Sequence, residues 1–147
     1  MNFFEWITDM FSIRMVRIFA WIILFSVVAV PLIRRHSQYQ GQALSEVEYT
    51  LHKPQDKNLN LVFYKRGCPY CQAAEKEVIS EAKRNKNKTY FINLDKARGL
   101  AVSEQYHVHK AYTIIKIRGK KVTRYYTAKV VDSKIVANRA EISQAFK

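Results

Sequence analysis

Cysteine is scarce in this 147-residue chain: there are two, and both lie in Cys68-Pro69-Tyr70-Cys71. A pair this close cannot build the disulfide framework of a small secreted domain, which joins cysteines distant in sequence. Nor does it close a structural zinc site, which takes four ligands where this pair supplies two. Acid is also scarce, with 12 Asp and Glu against 25 Lys and Arg and a formal net charge of +13. Internal repeats and low-complexity tracts are missing. So is any nucleic-acid-binding motif, and the lysines are scattered through every segment, so the charge does not single out DNA or RNA as a partner.

What two thiols at C-x-x-C spacing do well is form and break one bond with each other. The apolar run Leu59 to Tyr64 precedes the motif, and a stretch that reads as helix, Gln72 to Arg84, follows it. Cys68 is therefore expected where a strand feeds the first turn of a helix. Unpaired backbone N–H groups and the positive end of the helix dipole favour a thiolate there.

The chain is too short for two sizeable globular domains, and its first quarter differs from the rest. Residues 1–14 read as a short N-terminal segment and 15–35 as a transmembrane anchor. From Ile18 to Ile33 there is no charged residue, a run whose helix would cover roughly 24 Å of a hydrocarbon core about 30 Å thick. A cleaved signal peptide competes with a retained anchor, since Val27-x-Ala29 is a passable small-residue site. Its h-region would be unusually long, however, and preceded by an aromatic-rich stretch with two acids. A buried core helix fits less well, because the run is apolar all the way round. Arg14 and Arg17 flank one end and Arg34 and Arg35 the other, so the positive-inside rule is close to a tie. The expectation is a single-pass cell-membrane protein with a cytoplasmic N-terminus and an extracytoplasmic domain, where a tethered dithiol is of most use.

Residues 36–44 are polar and read as a linker; 45–147 read as one α/β domain. From His36 onward there are 21 Lys and Arg against 10 Asp and Glu, a balance of +11. Beside a bilayer that charge is drawn to anionic lipid or cell-wall polymer, unless it is only the solvated surface of a basic protein. Ser45 and Glu48 have capping-box spacing and open a helix to about His52. Strands are expected over Leu59–Tyr64 and Tyr90–Leu94, a helix over Ala97–Tyr106, and a hairpin of Tyr112–Arg118 and Lys121–Thr127 about Gly119. In the C-x-x-C helix Ala74, Val78, Ile79 and Ala82 face inward, and Glu75, Lys76, Glu81 and Lys83 outward. An amphipathic helix, Ala137–Phe146, closes the domain.

This order resembles the thioredoxin fold, a central mixed sheet flanked by helices. Five pieces carry the resemblance: Leu61-Val62-Phe63-Tyr64, the Cys68–Cys71 motif, Ile92-Asn93-Leu94-Asp95, Tyr106-His107-Val108 leading to Thr113-Ile114-Ile115, and Gly119 through Tyr125. The Pro-Tyr dipeptide is the one glutaredoxins favour. The lead-in Arg66-Gly67 lacks the thioredoxin tryptophan, and the double glycine of the glutaredoxin glutathione site is missing. Tethered proteins of this kind are similar to those that accompany Gram-positive secretion, bacteriocin or conjugation machinery. The resemblance implies thiol–disulfide exchange without a cofactor or metal, with protein clients and a membrane assembly as partners.

Three family features are missing. Tyr112 stands where the family has a cis-proline, and a cis bond before a non-proline residue costs about 2.5–4 kcal/mol, so Ala111–Tyr112 is expected trans. Val62 stands where thioredoxins keep a buried aspartate, and no glycine follows the hairpin near Thr127-Ala128. Cys68 is expected to attack and Cys71 to resolve. Pro69 suits the first helical turn, and Tyr70 completes the motif. Lys65 and Arg66 add positive potential, His109 modulates Cys68, and Ala111, Tyr112 and Thr113 meet the client. Two other readings stay open: a vestigial or structural pair, and metal binding aided by His107 and His109, two apart on a strand-like segment. A third possibility is an interaction module that docks a partner through the Tyr112 loop without turnover.

Overall fold

The computed structural model describes residues 15–24, 38–42, 44–52 and 57–147, and the chain divides into two units, Met1–His36 and Ser37–Lys147. In the first unit residues 15–24 form a helix, α1, with exposed side chains. Ten helical residues rise about 15 Å, half of a hydrocarbon core. No helix among the described residues is long and apolar enough to cross a membrane. The rest of the expected anchor, 25–35, and the segment 1–14 lie outside the described residues.

The second unit is a mixed α/β domain compatible with a thioredoxin-like fold. Its elements are α2 (Glu46–His52), β1 (Asn58–Tyr64), α3 (Pro69–Arg84), β2 (Lys88–Asn93), α4 (Ala97–Gln105), β3 (Thr113–Arg118), β4 (Lys121–Tyr126), β5 (Ala128–Val131), β6 (Lys134–Ala137) and α5 (Arg139–Phe146). Four strands pair in the order β2-β1-β3-β4. β1 and β2 run parallel, joined by the crossover helix α3 that parallel pairing requires. β3 is antiparallel to β1 and to β4.

β1 is apolar because it is buried on both faces from Leu59 to Tyr64. Alternation divides it. Leu59, Leu61 and Phe63 join Tyr90, Ile92, Val102, Val108 and Ile115 in one core, with α4 lying over it. Val62 and Tyr64 join Cys71, Ala74, Val78, Ile79, Phe91, Ile114, Ile142 and Phe146 in the other, beneath α3 and α5. The close seat of α4 on β2 needs a glycine: a Cβ on Gly99 would stand 1.9 Å from the Asn93 carbonyl oxygen.

Two readings of the sequence are corrected. The segment 36–44 is not simply a linker. Gln38–Gly41 form a 3-10 turn, and Tyr39 is buried in the α3 core, its ring centroid 5.0 Å from that of Tyr64 and 5.7 Å from that of Phe91. A lone aromatic among polar residues carries no periodicity, so the pattern hid it. The second correction is the hairpin β5–β6, packed on α3, in a stretch that carried no assignment. Its turn is made by Asp132 and Ser133 at φ 47° and 60°, a primed turn built without the usual glycine. The closing helix accordingly starts at Arg139, and Ala137 ends β6.

Candidate active site

β1 ends at Tyr64, and the chain turns through Lys65, Arg66 and Gly67 to reach α3. Gly67 has φ +71°, a left-handed conformation that favours glycine. Asp95, in the turn after β2, holds this loop from outside: its Oδ2 accepts from the Arg66 backbone N at 2.9 Å and from Arg66 Nε at 3.2 Å. The Cys68 N–H donates to the Lys65 carbonyl at 3.4 Å.

Cys68 is the N-cap of α3, with extended backbone (φ −73°, ψ 116°). Its Sγ accepts from the Cys71 N–H at 3.4 Å, and its carbonyl accepts from the Gln72 N–H at 3.1 Å. The sulfur thus occupies the position of a capping oxygen, where orphan N–H groups gather. Pro69 opens the helix, where a missing N–H costs nothing. Both thiols are free; Cys68 is half-buried and Cys71 buried. Burial pushes the Cys71 thiol well up, its hydrogen bond with Cys68 adds to this, and a backbone hydrogen bond at Lys65 pulls the other way.

Tyr70 joins the thiol helix to the loop before β3. Its ring stacks on Tyr112, centroids 4.5 Å apart and planes 17° apart, and Tyr112 tilts against Tyr126 at 5.9 Å. Lys110 Nζ lies 4.9 Å from the Tyr126 ring centroid. No peptide bond among the described residues is cis, so Ala111–Tyr112 is trans. The Tyr112 carbonyl accepts from both the backbone N–H (2.9 Å) and the hydroxyl (3.3 Å) of Thr127. Ala111 is half-buried, and Thr113 is buried with its hydroxyl donating to the Lys110 carbonyl at 2.6 Å.

The expected modulators are arranged unevenly. Lys65 is exposed, whereas Arg66 is turned to Asp95 and its charge is largely matched there. His109 is exposed, and its ring is hydrogen-bonded to neither sulfur. His107 has φ 51°, which breaks the extended geometry that would put the two histidines on one face. Among the described residues no group of three or more His, Cys, Asp and Glu side chains is placed to hold a metal ion. Val62, which the resemblance set where thioredoxins keep an aspartate, is buried within the apolar core.

Two neighbours of the dithiol escaped the sequence reading. Tyr39 lies along α3: its hydroxyl donates to the Cys71 carbonyl at 3.5 Å, the long limit of such a bond, and its backbone N–H donates to Glu75 Oε1 at 3.2 Å. Burial raises the Tyr39 phenol well above its ordinary range, with Cys71, Glu75 and Cys68 adding to the shift. Glu75, expected to face solvent, is half-buried. The spacing Cys71-x-x-x-Glu75, which puts both on one face of α3, was the available signal for it. Comparison with protein-family models, with curated proteins and with solved structures finds no match to this chain.

Proposed function

We propose that the chain is a membrane-tethered, thioredoxin-like thiol–disulfide oxidoreductase that acts on exported or membrane-associated proteins through Cys68 and Cys71. The observation that carries this reading is the cap: Cys68 Sγ receives the Cys71 N–H at the start of α3, half-exposed, while the second sulfur lies buried one turn in. That asymmetry suits attack by one thiol and resolution by the other.

In the reductive direction Cys68 thiolate attacks one sulfur of a client disulfide. A Cys68–client bond forms, and the client's other sulfur leaves with the electron pair. Cys71, once deprotonated, attacks Cys68 Sγ; the Cys68–Cys71 bond forms and the client departs as a thiolate. Two electrons pass to the client, and the same steps reversed oxidise a client dithiol. The basic surface would hold the domain near anionic lipid or wall polymer, beside a secretion or conjugation assembly.

A second reading, a non-catalytic interaction module of such an assembly, is favoured by the Tyr112 loop. There Thr127 takes the carbonyl and Tyr70 covers one face of the ring, so that a partner could be docked without turnover. The discriminating experiment is Cys71→Ala in the full chain in cells. The exchange reading expects client proteins trapped as disulfides on Cys68, lost in the double variant with Cys68→Ser. If nothing is trapped and the double-cysteine variant keeps its biological activity, the module reading stands instead.

A further inference from the structure

Resolution requires a thiolate on Cys71, and Cys71 is the harder sulfur to ionise. It is 3% exposed, and the strand beneath it offers Val62, which cannot take a proton. Among the described residues the ionisable groups around it are few. Cys68 caps the helix, Tyr39 comes from the 3-10 turn, Glu75 stands one turn further along α3, and Tyr64 lies beneath on β1. Glu46, Glu77, Asp95 and Arg66 lie beyond, acting on Tyr39 or Tyr64. Both tyrosines are held protonated by burial, and Cys68 is tied up in the mixed disulfide at this step.

We propose that Glu75 is the proton acceptor for Cys71 in the resolving step, with Tyr39 as the residue that positions its carboxylate. Residues four apart on a helix stand about 5–6 Å apart at Cβ, within reach through one water. The Glu75 carboxylate is fixed on that face by the Tyr39 N–H at 3.2 Å, and Tyr39 is itself fixed by its ring against Tyr64 and Phe91. As the Cys71 S–H bond breaks, the proton passes to the Glu75 carboxylate, and the sulfur's electron pair forms the bond to Cys68 Sγ. The Cys68–client bond breaks with its pair on the client sulfur, and Glu75 returns the proton to that thiolate or to water. Glu75 becomes neutral as the thiolate appears, so the two negative charges never stand together.

This role opposes the purely electrostatic one. As a fixed charge, Glu75 only raises the Cys71 pKa, and its removal would speed resolution. As a base, its removal slows resolution by about 10²-fold. The inference rests on the exchange reading above, and a two-phase assay separates them. The reduced full chain is mixed with one equivalent of a symmetrical nitroaryl disulfide whose thiol product absorbs visible light. Attack by Cys68 releases the first aryl thiol, and attack by Cys71 on the mixed disulfide releases the second.

In Glu75→Gln the first phase should be unchanged and the second slowed by about two orders of magnitude. The wild-type second phase should be flat across about pH 6 to 8, and that of Glu75→Gln should climb about tenfold per pH unit with hydroxide as the base. Glu75→Asp should recover part of the rate and the flat profile. A second phase in Glu75→Gln as fast as wild type or faster overturns the inference, as does equal slowing of both phases. A wild-type chain with no first phase overturns the exchange reading itself, and this inference with it.

Discussion

The two faces of the sheet are built from the same β1 residues taken alternately, yet they differ in kind. The face under α4 is filled by Leu59, Leu61, Phe63, Ile92 and Ile115, and at its edge the Tyr49 and Tyr106 hydroxyls share a hydrogen bond 2.7 Å long. The face under α3 holds Cys71 and Tyr39 within its core, with Cys68, Tyr70 and Tyr112 at its rim. On one side burial is spent mainly on apolar packing; on the other it also encloses Cys71 and Tyr39 and holds both protonated. Both faces are stabilised by burial, but only the α3 face encloses a thiol pair among the described residues, and that difference can be attacked experimentally.

The largest effect belongs to the α4 face. Phe63 is 1% exposed at the centre of its core, and Phe63→Ala should cost about 3–5 kcal/mol of unfolding free energy, read from a denaturant melt. Molecules that remain folded should alkylate Cys68 at the wild-type rate. A changed rate in the folded fraction would mean that the faces are not separable and that core packing reaches the thiol.

Alkali should act next and on both faces, since burial and the bond with Tyr106 also hold the Tyr49 phenol above its ordinary range; on the α3 face Tyr64 gives the readout. Burial, with Glu46 and Asp95 adding, pushes Tyr64 up to about 12, whereas an unfolded tyrosine loses its proton near 10. Below about pH 10 both states hold the proton and the contribution is fully present. Between there and the folded value the unfolded chain binds fewer protons than the folded one, so stability falls as pH rises. Denaturant midpoints taken from pH 9 upward should decline, and Tyr64→Phe should decline less steeply. A variant with the same slope as wild type would remove Tyr64 from the account.

How much of this was legible depends on whether a residue's role shows in its neighbours along the chain. The strand before the motif, the inward positions Ala74, Val78 and Ile79, and the β3–β4 hairpin are written in alternation, helical spacing and Gly119, and the structure has all of them. The cap at Cys68 follows from strand, motif and proline together. Tyr39 was not legible, because its burial comes from contacts with residues 25 to 52 positions away and nothing beside it is apolar. Glu75 was read as solvent-facing because carboxylates usually are, and the fold brings the Tyr39 N–H, 36 positions away, onto its carboxylate. The β5–β6 turn was missed because Asp132 and Ser133 adopt positive φ without a glycine to announce it.

Arg66 gives the smallest effect and the sharpest test of how the α3 face is tuned. Its charge was expected to favour the Cys68 thiolate, and the structure gives that charge to Asp95. Asp95→Asn removes the negative charge and keeps an oxygen that can still accept from the Arg66 N–H, so the loop should hold its shape. An exposed pair of this kind contributes about 1 kcal/mol at most, and the melt should barely move. The freed guanidinium, no longer matched, then adds to the positive potential at the α3 N-terminus. Alkylation of Cys68 at neutral pH should rise about two- to threefold at low ionic strength, and the gain should shrink as salt shortens the screening length. A rate that stays level, or one that rises equally at high salt, would assign the reactivity of Cys68 to the helix cap alone. The loop charges would then have no part in it.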